Sequence, residues 1–234
     1  MVQSSKRGAR YAAWHVKKDR EIKALLHCAD NQLDAMGYTE HSFRHVSIVC
    51  QRVEKILAAV GCDEKEIEIG KIAGFLHDLG NCVNRKDHAH SGAILAYTLL
   101  VKKGMNYADA ARVMEAIGNH DEETGQVASK LSAALILADK SDVHRTRVRK
   151  LKISQDGLVD KDDIHDRVNY AVVMSDIAID KDAGQIKFLF QIDTGICTAM
   201  DYFEIFLDRM KMCKKAAEYL GFEFMLEIND YRLA

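Results

Sequence analysis

Residues 72–81 constrain the fold of this chain more than any other stretch. The apolar run 72–76 leads directly into the adjacent pair His77-Asp78, and Gly80 follows. Successive side chains on a helix are rotated by about 100°, so neighbouring side chains at a helix end can approach one ion from two directions. An ionised carboxylate at the end of a buried helix is costly unless it is paired or bound to a metal. The stretch therefore predicts a central helix that delivers metal ligands.

Apolar residues recur at three- and four-residue spacing in a series of segments, and this spacing predicts amphipathic helices. The segments cover about residues 18–36, 40–60, 64–76, 88–103, 107–118 and 127–139. Asp63, Asp87 and Asn106 are the predicted helix caps. The chain contains no proline, so its helix ends and turns depend on Gly, Asn and Asp.

The pattern changes beyond Gly157. Residues 168–180 read as extended chain or a helix end, 185–192 and 222–228 alternate like strands, and 195–220 have the spacing of a long helix. The expected fold class is therefore mainly α with a small C-terminal α+β appendage. We divide the chain into a basic leader over 1–17, a metal-binding helical domain over 18–155 and a small α+β region over 156–234.

The composition is that of an ordinary globular protein. The 234 residues are 48% hydrophobic and carry a net charge of −2, which gives no global attraction to nucleic acid or to an anionic membrane. No apolar run approaches the length of a membrane span. The six cysteines form no CxxC pair, so we expect free thiols in a reducing cytoplasm.

Residues that can bind metals stand at or near the predicted helix ends. His45 precedes the His77-Asp78 pair by one helix and a turn, which favours a ligand role over a structural one. Asp139 follows four apolar residues on a later helix, where a buried carboxylate needs a partner. His120 follows an apolar helix and a glycine.

His88 and His90 compete for a further ligand position. Both lie in the first turn of the predicted helix that follows Asp87. They point about 200° apart, so at most one of them faces a common centre.

In chain order, His45, His77, Asp78 and Asp139 resemble the H…HD…D pattern that defines the HD-domain superfamily of metal-dependent phosphohydrolases. The flanking segments FRHV, FLHDLG and LADK also resemble that family, and the resemblance covers roughly residues 20–148. The dipeptide alone is a weak signal. Four ligands in order, each at a helix end or on a helix face, make a strong one.

The resemblance implies a divalent ion held by these two histidines and two aspartates. Two-metal members of the superfamily add histidines, one of them in a His-x-x-x-Gly-Ala pattern. His88 with its Gly-Ala at 92–93 is similar to that pattern, which favours His88 over His90. Another added histidine ends the next helix, as His120 does. Asp78 would then bridge two ions, with the second ion on His88 and His120.

This ligand set also determines which metals and which reaction the resemblance implies. Asp121 would orient His120 or act as a ligand itself. Mixed nitrogen and oxygen ligands suit Fe, Mn, Co, Zn or Mg, with one or two ions per chain. Such ions lower the pKa of bound water and neutralise charge on phosphate oxygens. The expected reaction is hydrolysis of a phosphoester or phosphoanhydride, with Asp78 and Lys140 assigned to catalysis.

Four basic residues are candidates for holding the phosphate: Arg44, Lys140, Arg145 and Arg147. Lys140 directly follows a metal ligand, so it serves equally well as a neutralising charge. The basic run over 145–152 fits either a solvated helix end or a surface that faces phosphate.

Two departures from known relatives narrow the substrate. Phosphodiesterases of cyclic dinucleotides carry a Gly-Tyr-Pro motif and a lysine where this chain has Asn81, and this chain has no proline. Hydrolases of guanosine tetraphosphate carry an acidic pair where this chain has Leu79-Gly80. These departures weigh against cyclic dinucleotides and against guanosine tetraphosphate as the substrate. The expected function is that of a cytoplasmic phosphohydrolase that acts on a nucleotide or related phosphorylated small molecule.

Two other functions stay open at this point. Some HD-fold proteins use the same ligands in a di-iron oxygenase. A non-catalytic module that binds a nucleotide or RNA has only the basic leader and the 145–152 run in its favour. A homodimer is compatible with the sequence, and a membrane partner is not expected.

Overall fold

The computed structural model describes residues 13–40, 42–149 and 163–232. Its helices are α1 (Ala13–Lys18), α2 (Arg20–Ala35), α3 (Phe43–Ala59), α4 (Glu64–Leu76), α5 (His88–Lys102), α6 (Tyr107–Gly118), α7 (Lys130–Lys140), α8 (Ile164–Ala171) and α9 (Ala199–Tyr219). Short 3₁₀ segments cover His77–Cys82 and Arg145–Arg147. The strands are β1 (Val172–Asp180), β2 (Gln185–Ile192), β3 (Glu223–Ile228) and β4 (Tyr231–Arg232). The expected class, mainly α with a C-terminal α+β part, is confirmed.

Two of the three predicted helix caps are confirmed. Asp63 accepts the backbone N–H of Glu66 at 2.8 Å, and Asn106 accepts that of Ala108 at 2.9 Å. Asp87 occupies the predicted N-cap position of α5, but its side chain accepts no capping hydrogen bond and its backbone is left-handed with φ = 57°. Aspartate tolerates this conformation better than most residues, and here it turns the chain sharply into α5.

The helical core is built around α4 and α7. Nearly every residue in the second half of α4 and along α7 is buried. Helices α3 and α6 pack against both of them. Because α4 and α7 are enclosed on almost all sides, the acidic residues at their C-terminal ends, Asp78 and Asp139, point into the protein interior.

The C-terminal part is a four-stranded sheet with one long helix. The strand order is β1-β2-β3-β4, in which β2 and β3 are parallel and the outer pairs are antiparallel. Helix α9 connects the two parallel strands and packs against both β3 and α7. Of residues 168–180, expected as extended chain or a helix end, 168–171 end α8 and 172–180 form β1, and the two-residue β4 was not predicted.

Some expectations fall outside the described residues or stay untested. Most of the basic leader and the boundary at Gly157 lie outside them, and the domain limits stay a prediction. None of the described helices combines the length and the apolar character that a membrane crossing requires. All six cysteines are free thiols; Cys50, Cys197 and Cys213 are buried, whereas Cys28 is exposed on α2.

Candidate metal centre

The ends of several helices converge on one buried cluster of imidazoles and carboxylates. It contains all six residues that the sequence predicts as ligands: His45, His77, Asp78, His88, His120 and Asp139. One comes from the first turn of α3, two follow α4, one begins α5, one follows α6 and one lies near the end of α7. Five of the six are buried, and the side chain of Asp139 is 12% exposed.

Asp78 lies between two groups of histidines. Three sets of ligand atoms each fit within 4.8 Å: His45 with His77 and Asp78, His77 with His120 and Asp139, and Asp78 with His88 and His120. Asp78 Oδ2 is 3.4 Å from His45 Nε2 and 3.2 Å from His77 Nε2. Its other oxygen, Oδ1, is 3.8 Å from His88 Nε2. Each oxygen of this carboxylate therefore faces a different group.

The hydrogen bonds of the first group fix which ring nitrogen faces the centre. His77 Nδ1 donates to the carbonyl oxygen of Gly74 at 3.0 Å, and His45 Nδ1 lies 2.8 Å from Asp142 Oδ2. With these protons on Nδ1, a neutral ring presents the lone pair of Nε2. The two Nε2 atoms are 3.2 Å apart. Two facing lone pairs at this distance repel each other unless a proton or a metal ion lies between them.

The second group has the same design. His88 Nδ1 donates to the carbonyl oxygen of Arg85 at 3.1 Å, and His120 Nδ1 donates to that of Ile117 at 2.6 Å. The Nε2 atoms of His88 and His120 are 3.3 Å apart. Histidine ligands of metals commonly donate their second N–H to an oxygen in this way. The donor chemistry of both groups therefore fits a divalent cation.

The electrostatics of the two groups differ. Burial lowers the pKa of His77, but the charge of Asp78 and a hydrogen bond to Asp139 outweigh it and raise the pKa to about 10. The pKa of His45 is also raised, because its carboxylate partners outweigh burial. Burial and the charges of neighbouring histidines hold the pKa of His120 well below its usual value. The first group thus favours positive charge, whereas the second keeps neutral rings.

Two glycines bring the second group close to Asp78. A Cβ at Gly80 would lie 1.9 Å from the carbonyl oxygen of His88 and 2.5 Å from the backbone nitrogen of Gly92. The 3₁₀ segment after α4 therefore touches the first turns of α5 backbone to backbone. This contact explains why Gly92 follows His88 four positions later in the sequence. His90 is exposed, so the structure places His88 and not His90 at the centre.

Two residues that orient ligands were missed by sequence reasoning. Asp142 holds His45 as described, and its own pKa lies well below the usual range because hydrogen bonding and charge at His45 outweigh burial. Asn81 donates to Asp78 Oδ1 at 2.9 Å and to the Asp78 carbonyl at 3.0 Å. In the sequence, Asn81 stands out only as a departure from relatives. In the structure it fixes the orientation of the central carboxylate.

The centre forms part of the wall of a cavity of about 740 Å³. Four of the six candidate ligands reach the wall, and His45 and His77 lie behind them. Cationic side chains also line the cavity: Arg85, Lys86, Lys140, Arg147 and Arg209. Arg209 comes from α9, so the C-terminal region contributes to this site.

Lys140 is held in a chain of ion pairs. Its Nζ lies 2.9 Å from Asp139 Oδ2 and 2.5 Å from Glu122 Oε2. The other oxygen of Glu122 is 2.6 Å from Arg209 Nε. Burial lowers the pKa of Lys140, but Asp139 and Glu122 outweigh it and the net pKa is raised. Of the two roles left open for Lys140, this pairing favours the neutralising charge.

The other predicted phosphate-binding residues are scattered. Arg147 is buried in the cavity wall, where its Nη1 donates to the carbonyl oxygen of Asp142 at 2.8 Å. The structure does not bring Arg44 or Arg145 to this cavity. Arg145 lies over the ring of Tyr170 at 5.2 Å, and Arg44 lines a separate cleft.

Asp121 also differs from one expectation. It lies in the cavity wall beside His120. His120 Nδ1 is held by the carbonyl of Ile117, so the expectation that Asp121 orients this ring is wrong. A role for Asp121 as a ligand stays a prediction.

Comparisons with known proteins give limited similarity. No protein-family model matches the chain. An uncharacterized protein of Methanocaldococcus jannaschii is 27% identical, aligned over 56% of this chain, and the chain spans 59% of that relative's length. A solved structure, a predicted HD superfamily hydrolase from an uncultured Thermotogales bacterium, is 28% identical over 53% of this chain and 68% of that one, with a TM-score of 0.43. The resemblance to the HD superfamily rests on the chain's own residues, which bring the H…HD…D set together in one buried cluster.

Proposed function

We propose that this chain is a cytoplasmic, metal-dependent phosphohydrolase that cleaves a phosphoester or phosphoanhydride of a nucleotide or related small molecule. The observation that carries the proposal is the position of Asp78 between two groups of Nε2 atoms on the wall of a cavity. The first ion would be held by His45, His77, Asp78 and Asp139, and the second by Asp78, His88 and His120. Bound divalent ions supply an activated water and neutralise charge on the phosphoryl oxygens.

The cavity supports a small phosphorylated substrate. Its volume of about 740 Å³ falls in the usual range for small-molecule sites. Arg85, Lys86 and Arg147 on its wall would hold phosphate oxygens that point away from the ions. The same wall also carries the carboxylates Asp121 and Glu123. These would repel a long polyanion, so the cavity fits a nucleotide better than a nucleic acid.

The residues around the centre have separate roles in this proposal. Asn81 holds the Asp78 carboxylate in a position where its two oxygens serve different groups. Lys140 stays protonated because two carboxylates surround it, so it balances charge beside the phosphate and does not exchange a proton. Arg209 keeps Glu122 in place for that pairing. Lys140 is therefore a positioning residue, which departs from its initial assignment to catalysis.

A hydrolysis panel tests the proposal. Protein purified without oxygen and loaded with Mn²⁺ would be assayed on nucleotides, other phosphomonoesters and phosphodiesters. We expect phosphate release from at least one class, and we expect Asp78→Asn to abolish it. His90→Ala is the matched control, because His90 is exposed and lies ten positions after Gly80 in the same part of the chain. This variant should retain activity.

The panel can also fail in an informative way. Absence of cleavage with Mn²⁺, Co²⁺, Zn²⁺, Mg²⁺ and Fe²⁺ would contradict the proposal. If the reduced iron form instead consumes O₂ in the presence of an organic substrate, the same ligands serve a di-iron oxygenase.

A further inference from the structure

A second, smaller cleft of about 260 Å³ lies outside the cavity of the metal centre. It is bounded by the first half of α3, by residues 142–144 after α7 and by the start of β1. Arg44 and Arg52 project into it from α3, two turns apart, and Asp142 lies between α3 and the strand. The proposed hydrolase reaction uses neither arginine.

Arg52 is a largely buried cation that is satisfied by neutral oxygens. Its Nη1 donates to Ser141 Oγ at 3.0 Å, and its Nη2 donates to the carbonyl oxygen of Ser175 at 2.7 Å and to that residue's Oγ at 3.2 Å. Within residues 13–40, 42–149 and 163–232, its guanidinium forms no salt bridge with a carboxylate. The carboxylates of Asp142 and Asp176 act on this charge without a direct ion pair, so its removal from water is only partly compensated.

The single carboxylate in the cleft does not balance the two arginines. Arg44 reaches Asp142 only at 3.4 and 3.5 Å, and its side chain remains 31% exposed. Asp142 already accepts the short hydrogen bond from His45, at 2.8 Å. Asp142 is therefore the carboxylate that the lining offers to two guanidinium groups, and its shortest hydrogen bond goes to His45 instead. Among the residues that line the cleft, positive charge is in excess, and the cleft opens to solvent. Outside the lining, the carboxylate of Asp176 on β1 also acts on Arg52.

We propose that this cleft is an anion site that binds a phosphate-type oxyanion between Arg44 and Arg52. Guanidinium groups match the planar, bidentate geometry of phosphate oxygens, and charge-assisted hydrogen bonds of this kind are stronger than neutral ones. The cleft volume of about 260 Å³ is below the usual range for drug-sized ligands. It accommodates free phosphate, or the phosphoryl group of a larger molecule whose remainder stays in solvent.

Calorimetric titration of the Mn²⁺-loaded protein tests this site. The probes are inorganic phosphate and phenylphosphonate, whose carbon–phosphorus bond is not hydrolysed and which stands for a phosphoryl group carried by a larger molecule. Arg44→Gln removes the exposed cation. Arg52→Lys keeps the charge but removes the planar, bidentate set of guanidinium N–H donors. Lys55→Gln is the matched control, because Lys55 lies one turn further along α3 and donates to the carbonyl of Ile177 outside the cleft.

We expect a phosphate site that Arg44→Gln weakens by about tenfold or more, the size of one charge-assisted hydrogen bond. Arg52→Lys should weaken the same site, and Lys55→Gln should leave it unchanged. The Mn²⁺ content of each variant is measured before the titration, so failure of the metal site and failure of the cleft are distinguishable. Unchanged affinity for both probes in Arg44→Gln and in Arg52→Lys would overturn the assignment.

Discussion

Replacing Asp142 by asparagine tests whether the carboxylate behind His45 determines binding of the first ion. Asp142 Oδ2 lies 2.8 Å from His45 Nδ1 and so directs Nε2 towards His77 and Asp78. Asparagine has the same shape but offers only a neutral acceptor or an amide donor, so the ring loses a charge-assisted hydrogen bond and its fixed tautomer. Loss of such a partner lowers metal affinity by about 10- to 100-fold, or about 1.4–2.8 kcal/mol.

The assay is calorimetric titration with Mn²⁺ of protein stripped of metal. We expect Asp142→Asn to weaken one ion by that factor and to retain the ion at His88 and His120. Asp176→Asn is the matched control, because it removes an exposed carboxylate on β1 that has no contact with His45. The reasoning is refuted if Asp142→Asn binds both ions as tightly as the wild type, or if the control loses affinity equally.

Three further predictions concern a candidate ligand of the metal centre and two residues that support the centre. A Cβ at Gly80 would lie 1.9 Å from a carbonyl oxygen, so Gly80→Ala should lower the free energy of unfolding by about 1–3 kcal/mol or more in urea titrations; wild-type stability would contradict the backbone contact. Elemental analysis should find one ion fewer in His88→Ala and a full complement in His90→Ala, and the reverse result would reassign the ligand. Burial raises the pKa of Glu122, but the charge of Lys140 reverses the shift and the net pKa is lowered from its ordinary value of 4.5. Its charge therefore stabilises the fold above about pH 4.5, and this contribution disappears as the pH falls further. Glu122→Gln should then be less stable at neutral pH and lose less stability in acid, whereas parallel pH profiles in urea unfolding would contradict the ion-pair assignment.

The sequence predicted those parts of the site that local pattern encodes. His77 and Asp78 follow an apolar helix, and such a helix must be central, so its C-terminal polar residues face the interior. The glycine spacing favoured His88 over His90, and the structure supplies the reason in the backbone contact between Gly80 and the start of α5. The positions of α2 to α7 and of α9 were predicted well because their apolar spacing is regular.

The partners of those residues could not be predicted, because they depend on tertiary packing. Asp142 and His45 are separated by 97 positions, and Arg209 and Glu122 by 87. Neither pair leaves a local pattern in the sequence. Arg44 was a candidate for holding the phosphate of the substrate, but the structure places it in the other cleft. The conformation of Asp87 also depends on how the chain must turn to enter α5.

The most direct test of the central claim is anomalous diffraction from crystals of the Mn²⁺-loaded protein. If Asp78 bridges two ions, the map should show two peaks about 3.5–4 Å apart. One peak should lie among His45, His77 and Asp139, and the other between His88 and His120. A single peak, or a pair of peaks that does not share Asp78, would contradict the account.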